Sequence, residues 1–250
     1  MNLTDPIAAG NTAKVYLHEN RVVKVFHSHL PEGEAAVEAN KQILAHSCGL
    51  PVPEIVGVTK IDGRQAIIME YVKGRTLGEL AEADRASAEY FMSLSVDVQL
   101  KIHTNSADSL EPMSEKLTRQ INASGELSQK QKYLLLGKLA SMSNNNRLCH
   151  GDFHLNNLIM SKHDVTIIDW VDSSSGNIPA DVYRSYLLYS QVSSKLAELY
   201  LRLYCQKSGL QKEQVLDWGP IIAGARLSEN VSSERSGRLL KIVDQYCTAP

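Results

Sequence analysis

Two carboxylates and an amide carry the chemistry that this chain is equipped to do. They lie in His150-Gly151-Asp152-Phe153-His154-Leu155-Asn156-Asn157 and, a few residues on, in Val165-Thr166-Ile167-Ile168-Asp169-Trp170. Residues 158–160 and 165–168 read as two short strands, and Ser161-Lys162-His163-Asp164 between them as a four-residue loop suited to a hairpin. Folding back across that loop sets Met160 opposite Val165 and Asn157 opposite Ile168. Asn157 and Asp169 then meet at one end of the hairpin. An amide oxygen beside a carboxylate offers two hard ligands to Mg2+. Asp152 stands five residues before Asn157, on the loop entering the hairpin. A carboxylate there orients an incoming hydroxyl and accepts its proton. Metal ligands and a positioned base are the parts that phosphoryl transfer needs. Any one of the three residues alone reads more simply as a turn former. The reading rests on all three at this spacing, with apolar strands between.

The elements that must position these groups change character near residue 74. Before it, strand-like runs at 13–17, 22–26, 55–59 and 66–71 are rich in β-branched and aromatic residues and bounded by Gly, Asn or Asp. One helix is expected over 34–46, with Ala36, Ala39, Ile43 and Leu44 at helical spacing, ending at Cys48-Gly49-Leu50-Pro51. From Leu77 onward helices prevail, over 86–103, 129–142 and 181–208. The expected architecture is α+β: a small β-rich lobe with one helix over 1–72, and a larger, mainly helical lobe over 73–250.

Strand alternation puts Lys24, in Arg21-Val22-Val23-Lys24-Val25-Phe26, on one face with Val22 and Phe26. A lysine there reads either as an edge-strand charge or as a group held by a partner. Glu34 and Glu38, one turn apart on the following helix, are the candidate partners.

Bulk properties narrow the class. Hydrophobic residues make up 43% and charged residues 22%, and the net charge is -2 with no basic run. That argues against a nucleic-acid partner. Cys48, Cys149, Cys205 and Cys247 form no C-x-x-C pair, which fits free thiols in a reducing compartment. The segment from Met1 to Pro6 has no cationic and no apolar region of an export signal, and no apolar run approaches membrane-spanning length. A cytoplasmic protein is the expectation, with no membrane and no protein partner inferred.

The stretch from His150 to Asn157, with Ile168-Asp169-Trp170, resembles the H-G-D-x-x-x-x-N and I-D-W signatures of the aminoglycoside phosphotransferase and choline kinase superfamily. That resemblance implies a bilobal protein-kinase-like fold, ATP or another nucleoside triphosphate with Mg2+ as cofactors, and a small hydroxylated substrate. Protein kinases carry H-R-D and D-F-G here. Gly151 in place of the Arg, and the short segment between Asp169 and Pro179-Ala180-Asp181, favour a small-molecule acceptor over a protein.

The resemblance implies further roles. The segment from Pro6 to Tyr16 resembles the nucleotide-covering loop, with Gly10 at its tip and Ala8 where a first glycine is usual. Lys24 would reach the α- and β-phosphates, held by Glu38, whose distance from Gly49-Leu50-Pro51 matches the family pattern. Residues 67–74 resemble the hinge, with Glu70 and Val72 supplying main-chain contacts to adenine and Met69 gating the pocket behind.

Toward the second half, His103 reads as a helix-end packing residue, and Asp181 as a helix cap or a buried anchor of the catalytic loop. His154 reads as lining the pocket or orienting the loop. Asp172, just past Asp169, is an acceptor-facing candidate. Arg226 and Glu229, three apart on an expected helix within a segment resembling a bacterial phosphotransferase-like subgroup, read as acceptor ligands or as a surface ion pair. The activity implied is transfer of the γ-phosphoryl group to a small-molecule hydroxyl. The alternative is a catalytically silent nucleotide-binding or scaffold module, for which the Ala8 substitution is the supporting feature.

Overall fold

Short β-branched runs separated by turn residues produce a five-stranded antiparallel sheet in the first part of the chain. The computed structural model describes residues 3, 5–10, 12–143, 145–162, 164–229, 231 and 234–248. Strands β1 (Ala8–Ala9), β2 (Ala13–His18), β3 (Arg21–Phe26), β4 (Ile55–Ile61) and β5 (Arg64–Glu70) lie in the order β1-β2-β3-β5-β4. Two of its hairpins turn through pairs of residues at positive φ, Glu19-Asn20 and Asp62-Gly63. Such paired turns match the twist of the strands they join.

Helix α1 (Glu34–Ser47) covers one face of this sheet. Ala13, Phe26, Ile67 and Met69 pack there with Ala35 and Ala39. Tyr16, Val23, Val25, Ile61 and Ala66 fill the opposite face. The buried stripe of α1 is Ala35, Glu38, Ala39, Gln42 and Ala45, not the expected Ala36, Ala39, Ile43 and Leu44. Only Ala39 is common to both sets, because the helix spends its inner face on small and polar side chains and leaves Val37 and Ile43 exposed. Gly49, at φ 75, ends the helix with its amide on the His46 carbonyl.

The chain divides into two compact units, Met1–Arg85 with Leu155–Val171, and Ala86–His154 with Asp172–Pro250. This division differs from the expected lobe boundary after residue 72. The hairpin of strands Leu158–Ser161 and Asp164–Ile167 groups with the first unit. Met160 pairs with Arg75 and Ile159 with Thr76 in the short strand β6 (Arg75–Thr76), and the Ile167 amide donates to the Pro51 carbonyl. Helix α2 (Leu77–Ala83) follows β6 behind a reciprocal Thr76–Glu79 cap.

The second unit is helical, as expected. It holds α3 (Ala88–His103), α4 (Met113–Ala123), α5 (Gln129–Ser141), α6 (Ile178–Val192), α7 (Ser194–Ser208), α8 (Lys212–Leu216), α9 (Gly219–Arg226) and α10 (Ser236–Cys247). Strands Arg147–Cys149 and Ser174–Gly176 pair beneath them. The single helix expected over 181–208 is two. Ser193 is extended, at φ -158, and its hydroxyl caps the Leu196 amide of α7. Helix α6 also starts earlier than expected, at Ile178 with Pro179 in its first turn, so Asp181 lies inside the helix and is not its cap. Among the described residues no helix is long and apolar enough to cross a membrane.

Candidate active site

In the first unit, the lysine, the helix glutamate and the hairpin aspartate converge. Lys24 sits on β3, between β2 and β5, with its side chain only 12% exposed. Its Nζ lies 2.6 Å from Glu38 Oε1 and 3.2 Å from Asp169 Oδ1. Of the two candidate glutamates it is Glu38, on the inner face of α1, that makes this contact. Burial alone would lower the Lys24 pKa, but the charges of Asp169 and Glu38 outweigh it, and the pKa is raised. Burial pushes the Glu38 carboxyl up, and the ammonium of Lys24 offsets only part of that. Glu38 Oε2 is buried without a hydrogen-bond partner among the described residues.

The hairpin sets Met160 opposite Val165, as its sequence implied. The ladder runs one pair further, to Ser161 opposite Asp164, so the turn has two residues and not four. Lys162 takes it at φ 59; His163 lies outside the described residues. At the open end the Ile168 amide donates to the Asn157 carbonyl at 3.0 Å, which brings Asn157 and Asp169 to the same end of the ribbon. Asp169 itself is at φ 63, a left-handed conformation that Asp tolerates better than most residues.

The remaining candidates of this unit take the following places. Gly10 is exposed beyond β1, with its amide on the Ala13 carbonyl and its own carbonyl 3.1 Å from His27 Nε2. Asn11, beside it, lies outside the described residues. Glu70 closes β5, and its amide is engaged by the Glu54 carbonyl at 2.9 Å. Val72 lies in the irregular segment that follows. Met69 is buried, its sulfur 3.8 Å from Gln42 Nε2.

In the second unit, Gly151, the residue before Asp152, is held through both its amide and its carbonyl. Asp181 Oδ1 accepts the Gly151 amide at 2.7 Å, and Arg184 Nε donates to the Gly151 carbonyl at 3.0 Å. Gly151 is at φ 80, and a Cβ there would lie 2.3 Å from the Asp172 carbonyl oxygen. Only glycine fits. Asp181 Oδ2 accepts from His103 Nε2 at 2.9 Å and from Gln99 at 3.1 Å, so Asp181 anchors the loop from a fully buried position. Burial opposes its charge, but the hydrogen bond and charge of His103 and the Gly151 amide win, and its pKa falls to about 2. His103, buried against Tyr204, is thus a helix-end residue with a structural task.

Asp152 is half-buried, with His154 Nε2 3.5 Å from its Oδ2. Burial would raise its pKa; His154, Arg184 and His150 together hold the carboxyl well below the usual carboxylate range. Asp172 Oδ1 accepts from Lys116 Nζ at 2.8 Å, on a cleft that Arg184, Arg226 and Glu229 also line. Arg226 and Glu229 are not a surface pair. Arg226 is 5% exposed and binds Glu229 through Nη1 and Glu234 through Nε. Helix α9 packs inward along the length that carries it.

The phosphotransferase enzyme family profile matches residues 4–217. The chain belongs to this family. No curated protein sequence matches this phosphotransferase. Among solved structures it is similar to a thermostable mutant of aminoglycoside phosphotransferase APH(4)-Ia in ternary complex with ADP and hygromycin B, at 12% identity and TM-score 0.70, covering 98% of this chain and 93% of the other. ADP-bound aminoglycoside phosphotransferase APH(2'')-Ib matches at 16% identity and TM-score 0.63, covering 99% and 93%. A choline/ethanolamine kinase family protein from Mesorhizobium loti matches at 13% identity and TM-score 0.65, covering 97% and 87%. At these identities the likeness establishes the protein-kinase-like fold.

Lys116 and Arg184 of this phosphotransferase were not singled out by sequence reasoning. Arg184 carried a usable signal: it lies three residues after Asp181 and so shares its helix face. Lys116 carried none, since its partner Asp172 is 56 residues away.

Proposed function

We propose that the protein is an ATP- and Mg2+-dependent phosphotransferase that moves the γ-phosphoryl group to a hydroxyl of a small molecule. One observation carries this reading: Lys24 Nζ is shared between Glu38 and Asp169, groups 14 and 145 residues away in the chain. A strand lysine held by a helix glutamate beside a metal-ligating aspartate is the arrangement that grips a nucleotide's phosphates. The donor set fits the metal, since Asn157 and Asp169 offer hard oxygens at one hairpin end. Two of the solved structures named above contain ADP, which supports the nucleotide.

In this reading residues 1–72 are the nucleotide-binding lobe, and the mainly helical remainder carries the catalytic loop and acceptor residues. Gly10 covers the phosphates. The carbonyl of Glu70 and the amide of Val72 meet the adenine edge; the Glu70 amide, engaged by Glu54, is not available for it. Lys24 holds phosphate oxygens, and Glu38 keeps its ammonium aimed. The bound magnesium nucleotide supplies the phosphoryl group and the charge that neutralises it.

Asp152 accepts a hydrogen bond from the acceptor hydroxyl and takes its proton. Its depressed pKa makes it a weak base that orients early and receives the proton late, which suits a loose phosphoryl transition state. His154 holds the carboxylate in place. Asp172, Arg226 and Glu229 face the acceptor. The protein works in the cytoplasm.

The test is ADP release by purified protein against a panel of hydroxylated metabolites and antibiotics. Asp152→Ala should cut turnover by about 100-fold or more while nucleotide affinity stays nearly intact. Asp169→Ala should instead weaken Mg2+-dependent nucleotide binding. Retained turnover in the first variant, or unchanged nucleotide affinity in the second, would remove that residue from its role.

A further inference from the structure

The cleft beside Gly151, within the second unit, is open to solvent and is lined by Lys116, Asp172, Asp181, Arg184, Arg226 and Glu229. Its charged lining does not suit a polycation. The Asp172 carboxylate is held by Lys116 at 2.8 Å. A single oxygen of Glu229, Oε2, takes both Arg184 Nη2 and Arg226 Nη1, each at 2.8 Å. Asp181, the third carboxylate of the lining, is 1% exposed and has both oxygens engaged by Gly151, His103 and Gln99. Every acid of the cleft is already engaged by the chain itself, Asp172 and Glu229 by cations and Asp181 by hydrogen bonds. An ammonium-bearing ligand would have to displace Lys116 and sit beside two guanidiniums, a like-charge arrangement that costs binding energy.

The donors are less fully used. The hydrogen bonds among the described residues occupy Arg184 Nε and Nη2 but not Nη1. Arg226 uses Nε and Nη1 but not Nη2. Lys116 spends two of its three ammonium protons, both on Asp172. Arg184 and Arg226 are buried, so hydrogen bonds to them are made at reduced dielectric. From this pattern we propose that the acceptor is a hydroxylated molecule bearing one anionic group, a carboxylate or a phosphate, seated between Lys116 and the guanidinium of Arg184. The proposal rests on the phosphotransferase reading and narrows its acceptor to anionic polyols, away from aminoglycosides and amino alcohols. Asp152 remains free of that task, its carboxylate directed to the hydroxyl that reacts.

Calorimetric titration at fixed ionic strength tests this, with and without Mg2+ and AMP-PNP. The probes are gluconate and glycerate for the carboxylate arm, glucose 6-phosphate for the phosphate arm, sorbitol as the neutral control and kanamycin as the polycation. Wild type, Lys116→Gln and Lys116→Arg are compared, their folding checked by urea midpoint. At least one anionic polyol should bind wild type more tightly than sorbitol or kanamycin. It should lose about tenfold or more in affinity in Lys116→Gln, the value of a charged hydrogen bond, and recover most of it in Lys116→Arg. The arm that responds identifies the anion. Tighter binding of kanamycin, no binding of any anionic probe, or equal affinity in Lys116→Gln overturns the proposal. Failure to bind AMP-PNP would instead count against the phosphotransferase reading, and the anion titrations without nucleotide are read separately.

Discussion

Replacing Asp181 by Asn probes the anchor beneath the Gly151 peptide with the smallest possible change in shape. The carboxylate accepts three hydrogen bonds, from Gly151, His103 and Gln99. An amide can satisfy only one side, because its NH2 must face either the Gly151 N–H or the His103 and Gln99 donors. The wild-type carboxyl is held at about 2 against an ordinary 3.8. At about 1.4 kcal/mol per tenfold, that difference is worth about 2 kcal/mol in favour of the charged form. Adding a mispaired buried donor brings the expected loss to about 2–4 kcal/mol at neutral pH. The folded-state value is depressed, so this stability is present above about pH 4 and is lost as pH falls through about 2.

Trp218 is buried in the same unit, and the only other tryptophan is Trp170, so urea melts followed by fluorescence in a Trp170→Phe background report on Asp181 directly. Wild type should exceed Asp181→Asn at pH 7, and the gap should close between about pH 4 and pH 2. A gap below about 0.5 kcal/mol at neutral pH, or one that does not change with acid, would refute the anchor as described.

Two further perturbations test the neighbouring geometry. Lys24→Met leaves Glu38 buried without its ammonium; nucleotide affinity and turnover should fall together, turnover by about 100-fold or more, and a variant within threefold of wild type in ADP release would refute the reading. Gly151→Ala combines a positive φ with a Cβ 2.3 Å from a backbone oxygen. It should cost about 2 kcal/mol or more in urea stability, and an unchanged midpoint would mean that the backbone relaxes freely there.

How much of this was legible depended on the range of the interactions involved. The hairpin end was readable because strand alternation and the Asx residues at 157 and 169 fix it within 13 residues of chain. The β-rich beginning and helical remainder followed from apolar spacing in the same local way. The partner of Lys24 needed the family pattern, since the spacing of Glu34 and Glu38 alone permits either. The inner face of α1 was misjudged because hydrophobicity pointed to Ile43, whereas the packing uses Ala35, Ala39 and Ala45 around Glu38 and Gln42. The break at Ser193 was hidden by continuous helical periodicity across 181–208, with only a serine to mark it. Least legible was the cleft. Its cations reach it from α4, α6 and α9, and one residue with its own conformation says nothing about partners 45 or 56 positions away.

The pairing of β6 with a hairpin from the middle of the chain bears on how the protein is made. By the time residue 85 has left the ribosome, all five strands of the main sheet exist, yet Arg75 and Thr76 still lack Met160 and Ile159, and the Pro51 carbonyl lacks Ile167. Those partners arrive on the order of ten seconds later at ordinary elongation rates. Until then the ammonium of Lys24 has Glu38 but not Asp169. Neither unit is a contiguous stretch of gene, and no single truncation would release one intact.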